Sequence, residues 1–210
     1  MNIVDRLKST VPRGTMDLFE NLVSRETFEK FVFYKELLEK WQKNLNLVSN
    51  KSLEVFWRRH LFDSLQLVQY IPNESSVLDV GSGGGFPGAV LAITGQYHVT
   101  CLDSDFKKCC FLRELFGSLK IHADVITDRI ENISNVSHHF DIITARGFSE
   151  VVDLLSIVER FSATGVFLKG KNVESELRIA QEYFSFQYEL NKSVTSSDGF
   201  VLVVRECRRK

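Results

Sequence analysis

A glycine-rich turn directly behind a short apolar run is the feature that most restricts how this chain can fold. Residues 77–88 read VLDVGSGGGFPG and contain five glycines and one proline. Such a pattern is typical of a strand that leads through a bare backbone loop into a helix. Backbone N–H groups at the start of that helix are free to face a ligand. The stretch therefore predicts a strand–loop–helix unit with a binding site at the loop.

Strand-like and helix-like patterns alternate after this loop. The predicted strands are residues 77–80, 98–102, 121–126, 140–145, 165–168, 184–190 and 200–205. Helical patterns at 86–94, 105–119 and 150–161 separate the first five strands. This alternation predicts a doubly wound α/β fold, with a mainly parallel sheet covered by helices on both faces. The last two strands have no helical pattern between them, which predicts an antiparallel hairpin at one edge.

The chain before the glycine loop is helical in pattern. Apolar residues recur at three- and four-residue steps over 27–47 and again over 53–70. A turn-rich stretch, PNESS at 72–76, follows. We therefore expect a helical N-terminal cap over residues 1–72 and an α/β domain over residues 73–210.

An acid at the end of the second strand narrows the choice of ligand. Asp103 follows Gly81 by 22 residues, and an acid about 20 residues beyond such a loop accepts hydrogen bonds from ribose hydroxyls. Loop and acid together predict an adenosine-containing ligand. The sixth position of the loop is Phe86 rather than the third glycine of the dinucleotide fingerprint, and no Lys-Ser or Lys-Thr follows as in a P-loop. This favours S-adenosylmethionine and leaves a nicotinamide dinucleotide open.

Composition excludes several other classes of protein. The chain has 26 Lys and Arg against 27 Asp and Glu, a net charge of -1, so a nucleic-acid partner requires a local basic patch. No apolar run is long enough to cross a bilayer, and the N-terminus lacks the apolar middle of a secretory signal, which predicts a cytoplasmic protein. The four cysteines lack CxxC or metal-ligand spacing, so we expect reduced structural thiols and no metal.

Several motifs in a fixed order carry a family resemblance. These are NLVS at 46–49, WRRHLFDS at 57–64, LDVGSGGGFPG at 78–88, LDSDFKKCCFLRE at 102–114, ITARGF at 143–148 and FLKGK at 167–171. Their order closely resembles the bacterial small-subunit (16S) ribosomal RNA guanine-N7 methyltransferase family. The resemblance runs from about residue 28 to about residue 171. It implies a seven-stranded, Rossmann-like, S-adenosylmethionine-dependent methyltransferase sheet behind an RNA-facing helical cap.

The resemblance also implies which residues hold the cofactor and which meet the RNA. The cofactor contacts carried over by position are Gly81, Ser82, Gly83, Phe86, Asp103, Ile130, Glu131 and Arg146. The residues expected to contact the RNA are Asn46, Arg58, Arg59, His60 and Lys169. Asp63 and Arg146 are the catalytic candidates.

The expected chemistry explains why no catalytic dyad is needed. Guanine N7 carries a lone pair and no proton, so methyl transfer does not demand a general base. The site must instead align N7 and offset the positive charge that develops on the base. Asp63 is the candidate for that charge or for gripping the guanine edge. The alternatives are that Asp63 only pairs with Arg59, four residues earlier, and that His60 is a core histidine.

Local basic groups are the expected contacts with RNA phosphates. Between Lys40 and Ser64 there are five basic residues against two acidic ones, and Lys169 and Lys171 follow the fifth strand. A second basic group, Arg205, Arg208, Arg209 and Lys210, ends the chain. We expect these groups to form one phosphate-binding rim. Phe148 is expected in the core rather than stacked on a base.

The expected partner is small-subunit ribosomal RNA, a 30S particle or an assembly intermediate, bound by a monomer. Two other functions stay open at this point. One is a nicotinamide-dependent oxidoreductase that uses the same glycine loop. The other is a non-catalytic, ribosome-associated RNA-binding protein.

Overall fold

A seven-stranded sheet forms the centre of the molecule. The computed structural model describes residues 23–210, except for the side chains of residues 50 and 52. The strands are β1 Ser76–Val80, β2 His98–Asp103, β3 Asp124–Thr127, β4 Ile142–Arg146, β5 Thr164–Lys169, β6 Phe184–Lys192 and β7 Phe200–Arg209. Their order is β3-β2-β1-β4-β5-β7-β6. Strands β1 to β5 are parallel, and β7 is antiparallel to both β5 and β6.

Each predicted strand and the edge hairpin are confirmed. The ends differ by a few residues, most clearly at β3, where pairing begins at Asp124 opposite Thr100 rather than at residue 121. The chain order reverses between β1 and β4. Because ligands bind beyond the carboxyl ends of the strands at such a reversal, the site is expected beside the glycine loop.

Six α-helices of five residues or more surround the sheet in the described part of the chain. They are α1 Arg25–Gln42, α2 Asn50–Glu54, α3 Gly88–Thr94, α4 Phe106–Leu119, α5 Val151–Phe161 and α6 Val173–Tyr183. Helix α6 was missed by the sequence analysis. Only Val173, Leu177 and Ala180 of its 11 residues are buried, so its apolar stripe is narrow within a mostly polar stretch.

The first predicted helix ends five residues earlier than expected. Beyond Gln42 the chain folds back onto that side chain, whose Oε1 accepts from the Leu47 and Val48 backbone N–H groups at 2.9 and 3.1 Å. Its Nε2 donates to the Val48 carbonyl oxygen at 2.7 Å. These bonds satisfy backbone groups that a longer helix would have paired internally.

The second predicted helix, residues 53–70, is interrupted. After α2 the chain forms a π turn at Trp57–Phe62, one α-helical turn at Asp63–Leu65 and a 3-10 turn at Gln66–Gln69. Periodicity predicted the helical character but not the change of hydrogen-bond pattern. Such π turns occur frequently at functional sites.

The alternating strand residues divide the core into two clusters, one on each face of the sheet. Val77 and Ile142 face the first cluster with helices α1, α3 and α4, while Leu78 and Ile143 face the second with α5 and α6. The N-terminal helical segments therefore share one hydrophobic cluster with the sheet. The boundary predicted at residue 72 stays a prediction, and residues 1–22 of the predicted cap lie outside the described residues.

Leu38 of α1 tests this shared core because its side chain is 0% exposed. Leu38→Ala should lower the free energy of unfolding by about 2–5 kcal/mol, since the deletion leaves a cavity. Urea unfolding followed by circular dichroism and tryptophan fluorescence should show one transition, shifted as a whole. Lys40→Ala, on an exposed side chain, should change stability by no more than about 0.5 kcal/mol. A separate transition of the helical segments would contradict the shared core.

Candidate active site

The glycine loop lies at the carboxyl end of β1 and turns back toward β2. The backbone N–H groups of Gly81 and Ser82 donate to the Leu102 carbonyl oxygen at 2.8 and 3.0 Å. Gly81 has a φ of 68° and Gly85 a φ of 94°, a region that residues with a Cβ rarely adopt. An added Cβ at Gly81 would overlap the Phe148 ring, and one at Gly85 would lie 2.6 Å from Tyr34 Oη. The loop requires glycine at both positions for conformation and for space.

Tyr34 of α1 supports the glycine loop from behind. Its side chain is fully buried, and its hydroxyl donates to the Gly84 carbonyl oxygen. Its ring stacks on Phe86 with 5.3 Å between ring centroids. A residue 50 positions before the loop therefore holds the loop in place, a contact that no local motif indicates.

Asp103 connects the glycine loop to the second strand. Its Oδ2 accepts from the Gly83 backbone N–H at 2.8 Å, and its Oδ1 accepts from the Asp105 N–H at 2.9 Å. Each carboxylate oxygen has a further lone pair. Asp103 thus orders the loop and keeps acceptor capacity toward a ribose.

Asp79, in the middle of β1, is a buried acid that the sequence analysis left without a role. Its Oδ2 accepts from the Gly88 N–H at 3.1 Å, at the start of α3, and its Oδ1 has no partner among the described residues. Burial raises the pKa of Asp79 to about 6, against the lowering effect of that hydrogen bond. An acid inside the apolar run VLDV was the signal available in the sequence.

A cavity of about 470 Å³ opens beside the loop. Gly81, Asp103, Ile130 and Glu131, all predicted from the resemblance, lie on its wall. The other lining residues are Val80, Leu102, Ser104, Lys108, Asp128, Arg129, Gly147 and Phe148. This lining suits an adenosine group. Gly81 offers bare backbone, Asp103 offers acceptor oxygens for the ribose, and buried Ile130 offers an apolar surface.

Three predicted cofactor residues lie behind that wall. The Ser82 hydroxyl donates to the Asp79 carbonyl oxygen at 2.9 Å, and Gly83 is bound to Asp103. The Phe86 ring is 3% exposed, so it packs into the first core cluster and does not stand at the mouth of the cavity.

Phe148 corrects another expectation. It was predicted to be a core residue, but it is 41% exposed and its ring lies against Gly81 on the wall of the 470 Å³ cavity. The prediction was wrong because the loop after β4 turns outward at Gly147, whose φ is 61°.

A second cavity, of about 590 Å³, lies on the other side of Gly147, which lines both. It brings together Arg59, His60, Asp63, Arg146 and Lys169, which were predicted to bind RNA or to take part in catalysis; these roles stay predictions. The other lining residues are Leu47, Val48, Ser49, Gly147, Leu168, Gly170, Lys171, Ser196, Asp198, Gly199 and Phe200. We call it the acceptor cavity. The predicted RNA contacts Asn46 and Arg58 do not line it.

Part of this wall was missed because the family resemblance carried over no site residue beyond about residue 171. Ser196, Asp198 and Gly199 precede β7. Since β7 is antiparallel to β5, the chain entering it must lie at the carboxyl edge of the parallel strands. The predicted antiparallel hairpin therefore already implied that the residues before β7 lie at this edge of the sheet.

Arg146 is held inside the acceptor cavity. Its Nη1 donates to the Arg59 carbonyl oxygen at 3.1 Å, and its Nη2 lies 2.7 Å from His60 Nδ1. Its guanidinium lies over the Phe86 ring, 4.9 Å from the centroid, a cation–π contact. Burial lowers the pKa of Arg146, while the charge of Asp63 opposes that shift.

His60 is a buried partner of Arg146, as the core interpretation predicted. It is 4% exposed and stacks on Phe86 with centroids 4.6 Å apart. Burial, followed by the charges of Arg146 and Arg59, lowers the pKa of His60 to about 3. The ring is therefore neutral at neutral pH, with Nδ1 as the acceptor for the guanidinium, and its Nε2 has no partner among the described residues.

Asp63 does not form the surface ion pair with Arg59 that the sequence left open. Its Oδ1 instead accepts from Thr195 Oγ1 at 2.5 Å and from Gln66 Nε2 at 2.9 Å. Ser193 Oγ lies 3.3 Å from the same oxygen. Asp63 thus contacts the loop between β6 and β7.

The cations near the acceptor cavity differ in how firmly they are held. Lys169 is bound to Glu176 Oε2 at 2.6 Å and to the Ser149 carbonyl oxygen at 2.8 Å. The side chains of Lys171 and Arg59 are exposed and have no hydrogen-bond or ion-pair partner among residues 23–210. They are the cations available to an external anion.

The C-terminal basic group lies elsewhere. In the antiparallel register Phe200 pairs with Lys169, whereas Arg209 pairs with Phe184 at the far end of β7. The expectation that both basic groups form one rim is therefore wrong. The antiparallel direction of a ten-residue strand separates them.

The fold and the site define a class of enzyme. A TehB-like SAM-dependent methyltransferase from Corynebacterium glutamicum superposes with a TM-score of 0.57 at 16% identity, covering 83% of this chain and 98% of that one. A SAM-dependent methyltransferase from Aquifex aeolicus gives 0.56 at 18% identity, covering 80% and 97%. At such identities the likeness concerns the fold. With the loop and its acid, it defines a Rossmann-like fold of the class to which these S-adenosylmethionine-dependent methyltransferases belong.

Sequence comparison then identifies the family. The family model described as rRNA small subunit methyltransferase G matches residues 27–201. A "Ribosomal RNA small subunit methyltransferase G" of Rickettsia akari (strain Hartford) is 39% identical over 185 residues, covering 87% of this chain and 95% of that protein. One of Orientia tsutsugamushi (strain Ikeda) is 40% identical over 186 residues, covering 87% and 92%. The chain belongs to the rRNA small subunit methyltransferase G family, and neither the oxidoreductase nor the non-catalytic alternative finds support.

The hydroxyl of Tyr34 gives a test of the loop support. Tyr34→Phe keeps the ring on Phe86 but removes the donor to Gly84, a loss of about 1 kcal/mol. We expect the Kd for S-adenosylmethionine to rise about fivefold in calorimetric titration. Tyr97→Phe, in the same core cluster but away from the loop, should leave the Kd unchanged. Unaltered affinity in Tyr34→Phe would show that the loop is rigid without α1.

The depressed pKa of His60 gives a pH test. The unfolded chain binds a proton near pH 6.5 and the folded protein only near pH 3, so this contribution to stability is present above about pH 6.5 and is lost as pH falls toward 3. The raised pKa of Asp79 has the opposite effect on stability: its contribution falls as the pH rises from the usual pKa of an aspartate to about 6. His60→Phe should therefore be compared with the parent protein by urea unfolding at each pH. The difference should change by about 1.4 kcal/mol per pH unit between pH 4 and 6; a constant difference would contradict a buried neutral His60.

Proposed function

We propose that this enzyme transfers a methyl group from S-adenosylmethionine to N7 of a guanine in small-subunit (16S) ribosomal RNA. One observation carries the proposal: the cavity of about 470 Å³ beside the glycine loop, which we call the cofactor cavity, shares Gly147 with the cation-lined acceptor cavity. The names of the relatives and the sequence motifs supply the substrate class.

The chemistry of N7 fits the groups that line the acceptor cavity. The cofactor supplies an electrophilic methyl group on a sulfonium sulfur. N7 offers a lone pair and loses no proton, so neutral, buried His60 is not needed as a base. The exposed carboxylate of Asp198 lines the cavity and adds negative charge where the methylated base becomes cationic.

Arg146 is the residue we propose to orient the base. Two of its N–H groups are bound to the Arg59 carbonyl and to His60, which leaves donors for guanine O6. A bidentate contact with O6 and N7, the usual arginine–guanine pairing, would occupy the lone pair that must react. Arg146 therefore binds O6 alone, and the cofactor contact also expected of it stays a prediction.

Phosphate contacts are proposed for the free cations at the acceptor cavity. Arg59 and Lys171 are exposed there, whereas Lys169 is neutralised by Glu176 and Arg58 donates its Nε to the Thr195 carbonyl oxygen at 3.0 Å. Asn46 is exposed beside the lining residues Leu47 to Ser49. Its RNA contact stays a prediction.

The helical N-terminal region is proposed as the RNA-facing cap of a monomeric, cytoplasmic enzyme that acts on a 30S particle or an assembly intermediate. Supporting this, the π turn contributes Arg59 and His60 to the acceptor cavity. No helix within residues 23–210 has the length and apolarity required to span a membrane.

Methyl incorporation is the direct test. With labelled S-adenosylmethionine, small-subunit RNA offered naked, as 30S particles and as assembly intermediates should become labelled at N7 of a guanine. Asp103→Ala should raise the Kd for the cofactor at least tenfold, because it loses a ribose acceptor and the Gly83 contact. Its affinity for RNA should be nearly unchanged.

The reciprocal variant separates the two cavities. Arg59→Ala with Lys171→Ala should weaken RNA binding, because phosphate contacts are lost. The slope of log K for RNA against log salt concentration should become about 1–2 less steep. Cofactor affinity should be unaffected. Arg208→Ala with Arg209→Ala, at the far end of β7, is the matched control and should bind RNA normally. No labelling of any RNA form would refute the proposed function, and swapped phenotypes would refute the assignment of the cavities.

A further inference from the structure

The loop between β6 and β7 forms one wall of the acceptor cavity. Its residues 193–199 join the two antiparallel strands at the carboxyl edge of the sheet. Ser196, Asp198 and Gly199 line the cavity together with Arg59 and His60 from the helical region. The position of this loop therefore contributes to the shape of the cavity.

A network of side chains from the helical region holds the loop. Asp63 Oδ1 accepts from Thr195 Oγ1 at 2.5 Å, with Ser193 Oγ at 3.3 Å. Gln66 is shared between the two sides: its Oε1 accepts from the Val194 N–H at 3.1 Å, and its Nε2 contacts Ser193 Oγ at 3.1 Å. These contacts link residues about 130 positions apart in the chain.

The π turn brings a second anchor to the same loop. Arg58 Nε donates to the Thr195 carbonyl oxygen at 3.0 Å, while Asp63 accepts from the hydroxyl of the same residue. Arg58 and Asp63 are five residues apart. Arg58 lies in the π turn and Asp63 directly follows it, so the turn and the residue after it hold the loop from two points.

We propose that Asp63 is a positioning residue that acts through Thr195 and Ser193 to hold the β6–β7 loop as the wall that receives the acceptor base. The proposal rests on the proposed function and changes the role expected of Asp63, from direct contact with guanine to preorganisation of the cavity. Asp63 Oδ1 already receives three side-chain donors. A loop held before binding spares the entropy of ordering it when RNA arrives.

Kinetics of four variants test the proposal. Asp63→Ala should raise KM for RNA about tenfold, and so should the pair Ser193→Ala with Thr195→Val. In both variants kcat should stay within about twofold of the parent, because the cost of ordering the loop then falls on RNA binding. Combining all three substitutions should add little, since they remove the same contact. Asp63→Asn keeps an acceptor oxygen for Thr195 and should restore KM to within about threefold of the parent. Ser197→Ala, exposed in the same loop, is the matched control.

A different pattern would overturn the proposal. If the Ser193 and Thr195 pair behaves like the parent protein while Asp63→Asn loses kcat as fully as Asp63→Ala, the charge of Asp63 acts on the base directly.

Hydrogen exchange separates this proposal from the proposed function. The Val194 and Thr195 amides, bound to Gln66 Oε1 and Ser193 Oγ, should exchange at least tenfold faster in Asp63→Ala than in the parent. Unchanged protection would overturn the loop proposal whatever RNA the enzyme methylates. Faster exchange in a protein that labels no RNA would instead refute the proposed function alone.

Discussion

The burial of Phe86 within the helical region is the contact on which both cavities depend. Its ring stacks with both Tyr34 and His60, at centroid distances of 5.3 and 4.6 Å, and the Arg146 guanidinium lies over it at 4.9 Å. Phe86 of the glycine loop thus contacts both Tyr34 and His60 of the N-terminal helical region and Arg146 of the acceptor cavity. Aromatic pairs of this kind contribute about 0.5–1.5 kcal/mol beyond their buried area, so displacing the ring would loosen all three together.

Electrostatics then divides the work between buried and exposed groups. Burial keeps His60 neutral, with a pKa of about 3, so it accepts a hydrogen bond from Arg146 without adding a second buried positive charge. Lys169 is neutralised by Glu176. The charges left for RNA are the exposed ones, which cost little to hold and which salt screens readily.

Local pattern predicted most of the fold and about half of the site. Short apolar runs predicted all seven strands, because β1 to β5 and β7 place side chains in both core clusters. Gly81 and Asp103 were recognisable because an adenosine-containing ligand needs bare backbone and an acid for its ribose at a known spacing. Helix α6 and the outward turn of Phe148 were missed, since a narrow apolar stripe and a glycine of positive φ leave only a weak signal in one sequence.

The sequence by itself determined the class of fold, the glycine loop with its acid and, through the motif RRHLFDS, the family. The tertiary structure alone decided which side chain meets which. Tyr34 and Gly84 are 50 residues apart, and Asp63 and Thr195 are 132 apart; no local period links such pairs. Asp63 meets Thr195 because the sheet topology brings the loop before β7 to the edge where the helical region packs. Tyr34 meets Gly84 because α1 packs in the same core cluster as the glycine loop.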